Sequence, residues 1–139
     1  MRGGGLVLML ALALATPACA ERVLIRISLS EQLLRVHHEG RLLFSWPIST
    51  AKAPKVTPLG RYVPQALSPN HRSRLYGNAP MPWSIFFRGN YAIHGTTELR
   101  KLGRPASHGC VRLHPDNARV LFRMVRAEGL AETLVLVGR

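Results

Sequence analysis

Cysteine is nearly absent: the chain has two in 139 residues. Cys19 falls in an N-terminal apolar stretch, which leaves Cys110 as the single thiol of the remaining sequence. A lone thiol closes no internal disulfide, and no C-x-x-C occurs, so a disulfide scaffold and a dithiol redox motif are both excluded. Acid is scarce as well, with 7 Asp and Glu against 19 Lys and Arg, for a formal charge of +12. That balance points to an acidic partner. The arginines are scattered and no aromatic-basic binding motif appears, which argues against nucleic acid. Anionic envelope polymer or lipid headgroups fit the charge. There is no internal repeat, low-complexity tract or interdomain linker, and the length suits one domain.

No hydrophobic run is long enough to cross a bilayer. Leu6 to Ala15 is unbroken but falls short of the roughly 20 apolar residues a spanning helix needs. Arg2 precedes it, Thr16-Pro17 ends it, and Ala18-Cys19-Ala20 supplies small residues before Glu21. This is the layout of a secretory signal peptide, residues 1–20, cleaved to leave a domain of residues 21–139 with no stable membrane span. Thr16-Pro17-Ala18 is a poor approach to a lipidated Cys19. An exported protein of the periplasm or cell envelope is expected. A lone cysteine in that setting is a candidate reactive thiol.

Val23 to Leu29 alternates apolar and polar residues, as a half-buried strand does. Gln32–His38 and Arg41–Ile48 are two further strands joined by a Glu39-Gly40 turn. Ala51–Gly60 reads as a loop and Arg61–Ala66 as a return strand. Leu67–Pro82, rich in Pro, Asn, Ser and Arg, reads as one long irregular loop, a candidate lid carrying Arg72 and Arg74. Trp83–Arg88 and Tyr91–His94 form a hairpin around Gly89-Asn90. One helix is expected: Pro115 suits its first position, Asp116 its first turn, and Ala118, Leu121, Phe122 and Val125 make one apolar stripe ending at Gly129. Thr133–Val137 closes the chain as a strand. The fold class is mainly β with one main α-helix.

The chemistry concentrates between Ile93 and Leu113, where two His-Gly pairs accompany Cys110. A thiol is a weak nucleophile until an imidazole takes its proton. His94, at the end of a predicted strand, is the better base, whereas His108 lies two residues from Cys110 across a Gly109 turn. Gly109 admits a substrate carbonyl to the neighbouring backbone N–H groups, which are natural oxyanion donors. A zinc site from His94, His108, Cys110 and His114 has suitable ligand types but no standard spacing. A structural thiol with incidental histidines is the plain alternative.

His94-Gly95-Thr96, then Gly103, then Ser107-His108-Gly109-Cys110-Val111-Arg112-Leu113 closely resembles the catalytic signature of the L,D-transpeptidase (YkuD-type) family. Ser49-Thr50-Ala51-Lys52 with Thr57-Pro58-Leu59-Gly60 is similar to that family's S-T-G-x and T-P-x-G loop, with Ala51 where glycine is usual. Asn78-Ala79-Pro80-Met81-Pro82-Trp83 is similar to its A-P-M-P-Y/W stretch. The resemblance covers roughly Arg22 to Val137. It implies a mixed β-sandwich-like fold with a catalytic cleft beneath a lid. It implies Cys110 as acylated nucleophile, His94 as base oriented by the Gly95 carbonyl, and an oxyanion hole from the backbone at His108, Gly109 and Cys110. Arg112, Ser107, Thr96 and Trp83 are the residues expected to bind substrate or shape the site. Peptidoglycan peptide stems are the implied partner, with an envelope lipoprotein as a further acceptor. No metal or cofactor is implied.

Overall fold

In the computed structural model, residues 21–139 are described; the signal-peptide expectation for residues 1–20 lies outside them. Nine strands form two mixed sheets and one α-helix packs with them. β1 (Val23–Ser28), β2 (Leu33–His38) and β3 (Arg41–Pro47) run as a meander. Glu39 and Gly40, at φ 49° and 81°, form the turn between β2 and β3. Two positive φ values in succession are what a tight hairpin matched to strand twist requires.

β4 (Gly60–Tyr62) and β9 (Thr133–Gly138) complete this sheet, in the order β3-β2-β1-β9-β4. The second sheet runs β5 (Ala66–Arg72), β6 (Pro80–Arg88), β7 (Tyr91–Gly95), β8 (Val111–Leu113). β1 with β9 and β7 with β8 pair in parallel; the other pairs are antiparallel. Val23, Ile25 and Ile27 of β1, Val135 and Val137 of β9, Ile85 and Phe87 of β6, and Val111 and Leu113 of β8 meet in one core.

Helix α1 (Pro115–Glu128) buries Ala118, Leu121, Phe122 and Val125 in that core. It starts on His114, whose ring nitrogen accepts from the Asp116 N–H, and ends at Gly129 with φ 100°. Pro115 sits in the first turn as the sequence suggests, and Gly129 ends the helix with its N–H on the Val125 carbonyl.

Two expectations are corrected. Leu67–Pro82 is not one irregular loop: it supplies most of β5 and the start of β6, leaving only Ser73–Ala79 as a connecting tip. β5 is an edge strand, so polar residues and Pro69 are tolerated there. Pro80 and Pro82 sit where β6 runs past the end of its pairing with β7, which spans Ile85 to Arg88. Arg61–Ala66 is not one strand either. β4 stops at Tyr62, Pro64 interrupts, and Ala66 begins a strand of the other sheet.

Candidate active site

The parallel pairing of β7 with β8 sets His94 directly opposite Arg112. Ile93, Val111 and Leu113 point into the core. By strand alternation, His94, Arg112 and Cys110 therefore share the opposite face. Cys110 precedes β8, two residues from Arg112, and is His94's diagonal neighbour, with Cα atoms about 8 Å apart from strand spacing and rise. All three line one cavity of about 1010 Å³.

His94 is buried, 6% exposed. Its Nδ1 lies 2.7 Å from the Gly95 carbonyl oxygen. A carbonyl only accepts, so Nδ1 carries the proton and Nε2 is left as a lone pair. Burial pushes the ring's pKa down to about 4; the Gly95 hydrogen bond opposes this, while Arg112 and His71 add to it. His94 is thus a neutral base at neutral pH. Gly95 has no room for a side chain: a Cβ would meet Pro115 Cα at 3.0 Å and Pro82 Cγ at 3.1 Å. A side chain there would force Pro115 or Pro82 to shift by a few tenths of an ångström.

Cys110 is half-buried, and burial pushes its thiol up, against opposing effects from the Ala92 backbone and Arg112. Its sulfur lies 3.7 Å from the Asn90 carbonyl oxygen, to which the thiol donates. The resting pair is consequently a neutral thiol and a neutral imidazole. Such a pair works by general-base removal of the thiol proton during attack, not from a standing thiolate.

The turn before Cys110 is fixed from several sides. Ser107 Oγ donates to the Cys110 carbonyl (2.6 Å) and accepts from the Gly109 N–H (3.1 Å). Gly109 has φ 145°, and a Cβ there would meet Tyr91 Cε1 at 2.6 Å. Thr57 Oγ1 donates to the Gly109 carbonyl (2.9 Å) and accepts from the Ala51 N–H (3.0 Å). The Thr50 carbonyl accepts from Ala106 and Ser107. Thr50 is held in turn by buried Gln32, whose Oε1 accepts from the Thr50 N–H (3.0 Å) and whose Nε2 donates to Thr50 Oγ1 (2.6 Å) and the Leu29 carbonyl (2.8 Å). A hydrogen-bonded path thus runs from the β1–β2 turn of one sheet to the turn before Cys110 beside the other.

Residues of the Ser73–Ala79 tip line the cavity. Tyr76 stacks on His108, with ring centroids 4.3 Å apart and planes 9° apart. Arg72 Nη1 donates to the Asn78 carbonyl and braces the tip, while Arg74 lines the cavity. Arg74, Arg88 and Arg112 give the lining a positive character. Glu98 is the one acid in that lining, and it pairs with both Arg112 and Lys101 at 3.1 Å.

Cys110, His94, Thr96, His108, Gly109, Ser107 and Arg112 thus meet at one cavity. Gly95 supports it from beneath. Trp83 does not join them. It packs edge-on against Phe122 of α1, with ring centroids 5.3 Å apart, on the core side of the sheet. Alternation accounts for this: Trp83 lies two residues before Ile85 and shares its face, the one that enters the core. Expected as a substrate contact, Trp83 is instead a packing residue. His114 does not reach the cleft either, because its ring nitrogen caps α1. Sequence reasoning missed Gln32, Tyr76, Tyr91 and Glu98. Thr57 was visible within T-P-L-G, but nothing in the sequence showed which turn it braces.

A family model for the L,D-transpeptidase (YkuD) catalytic domain matches residues 22–137. The chain belongs to that family. A Bacillus licheniformis protein carrying the YkuD L,D-transpeptidase name is 32% identical over 101 residues, covering 73% of this chain and 59% of that protein. The fold is similar to that of an L,D-transpeptidase from Mycobacterium smegmatis, at TM-score 0.76 and 23% identity over 85% of this chain and 59% of that one. It is also similar to a transpeptidase solved in complex with imipenem, at TM-score 0.73 and 19% identity, covering 84% of this chain and 59% of that one. The chain therefore spans about three-fifths of the length of these relatives.

Proposed function

We propose that residues 1–20 export a catalytic domain of residues 21–139 to the cell envelope, where it acts as a peptidoglycan L,D-transpeptidase. The observation that carries the reading is a thiol and a buried neutral imidazole lining one cavity, on the β7–β8 side of the sheet. His94 Nε2 takes the Cys110 proton as Sγ attacks the carbonyl that joins the L-centre of a tetrapeptide stem to its terminal D-alanine. The S–C bond forms, the C–N bond breaks, and imidazolium returns the proton to the departing amine. The amine of a neighbouring stem then attacks the thioester and releases the thiol, giving a 3-3 crosslink. Gly109 N–H is engaged by Ser107, so the amides of His108 and Cys110 are the oxyanion donors in this reading. Arg74, Arg88 and Arg112 suit the carboxylates of the stem.

The test is to supply a tetrapeptide stem with an amine-bearing acceptor stem and analyse the products by mass. Crosslinked dimer with free D-alanine is expected. Tripeptide alone would mean that water is the acceptor and the protein is a carboxypeptidase. Failure of both products would sink the reading.

A further inference from the structure

The outer face of the five-stranded sheet carries an arrangement that the cleft chemistry does not use. Arg26 of β1 lies directly opposite Arg35 of β2, and Arg26 is also in register with Leu136 of β9, which pairs with Arg61 of β4. Ile25, Ile27, Leu34, Val36, Val135 and Val137 alternate with these residues and are buried, so all three arginines point outward. With Arg139 at the end of β9, they line a shallow groove of about 460 Å³. None of its residues lines the cleft.

Like charges directly opposite on adjacent strands oppose folding. Glu31, the one acid of the groove, is bound by Arg35 at 2.7 Å. Among the described residues, Arg26, Arg61 and Arg139 have no acidic partner within 4.0 Å. The row spans three strand spacings, about 15 Å, too far for one small anion to touch. Guanidinium forks suit carboxylates bidentately. Phe44 and Trp46 of β3 pack against the core, so this face shows no aromatic anchors of the kind that seat a protein at a bilayer interface.

We propose that this groove holds a second strand of wall polymer through the free carboxylates of its peptide stems, tethering the enzyme while the cleft works on another strand. The proposal rests on the peptidoglycan reading above. It is tested with the purified full chain, wild type beside the Arg26→Glu/Arg61→Glu double variant, with Arg26→Gln/Arg61→Gln guarding against misfolding. Cosedimentation with insoluble peptidoglycan is measured at low and high salt, and acylation of Cys110 by a carbapenem is followed separately in solution. The charge reversal weakens sedimentation by on the order of tenfold or more and removes its salt dependence, the glutamine pair does so partially, and acylation is unchanged. Equal sedimentation of variant and wild type overturns the proposal, as does a wild type that binds phosphatidylglycerol vesicles in preference to peptidoglycan. If the wild type resists acylation yet the variants lose binding, the catalytic reading fails and the groove stands.

Discussion

The two sheets use the same alternation to opposite ends. On the four-stranded sheet, the outward residues His94, Arg112 and Cys110 share a cavity with loop residues, and burial holds a histidine neutral down to about 4. On the five-stranded sheet, the outward residues Arg26 and Arg61 stay in water. A strand pattern assigns a residue to a face; it is the covering loops that give that face its chemistry.

The contrast can be broken at several points. Removing the base has the largest effect: His94→Ala should slow acylation of Cys110 by about 10²–10⁴. In wild type the rate should fall on the acid side through a pKa of about 4, while in the variant it should climb with pH as the thiol ionises unaided. A wild-type acid limb near ordinary histidine values would show that the ring is not buried as described. The same burial governs stability. The unfolded ring takes up a proton near 6.5 and the folded ring only near 4, so the unfolded state binds more protons between them. Stability is full above pH 6.5 and declines as pH falls towards 4, by about 3 kcal/mol at most. Urea titrations across that range, wild type against His94→Gln, isolate the contribution as the part the variant lacks.

Thr57→Val tests the loop that braces the turn before Cys110. It leaves the Gly109 carbonyl and the Ala51 N–H without the hydroxyl they share, at a cost of roughly 1–3 kcal/mol. Urea unfolding gives the stability loss, and acylation should slow along with it. A variant with normal stability and rate would remove Thr57 from the bracing of the nucleophile turn. The smallest effect belongs to the open face: Arg26→Gln should leave the melting temperature unchanged or slightly raised, because Arg26 faces another arginine across the strand pair. A marked drop in a thermal melt would mean that Arg26 is structural.

Much of this was legible from the residues. Alternation placed β1, the 3.6-residue stripe placed α1, and the spacing of His94 from Cys110 resembled a known signature. What escaped was decided by distant partners. Leu67–Arg72 looks like loop because an edge strand tolerates polar residues and proline, and only its pairing with β6 makes it a strand. Trp83 shares the core face of Ile85 and Phe87, and only the docking of α1 shows that Phe122 is its partner. Gln32 sits 18 positions from the Thr50 it holds, and no local pattern marks a glutamine as a brace.

The central claim is that Cys110 is an activated, acyl-accepting thiol. Its most direct test is intact-protein mass spectrometry after incubation with a carbapenem, wild type beside Cys110→Ala. The account predicts one stoichiometric adduct on wild type and none on the variant. A folded wild type that gains no mass, or an alanine variant that does, would contradict it.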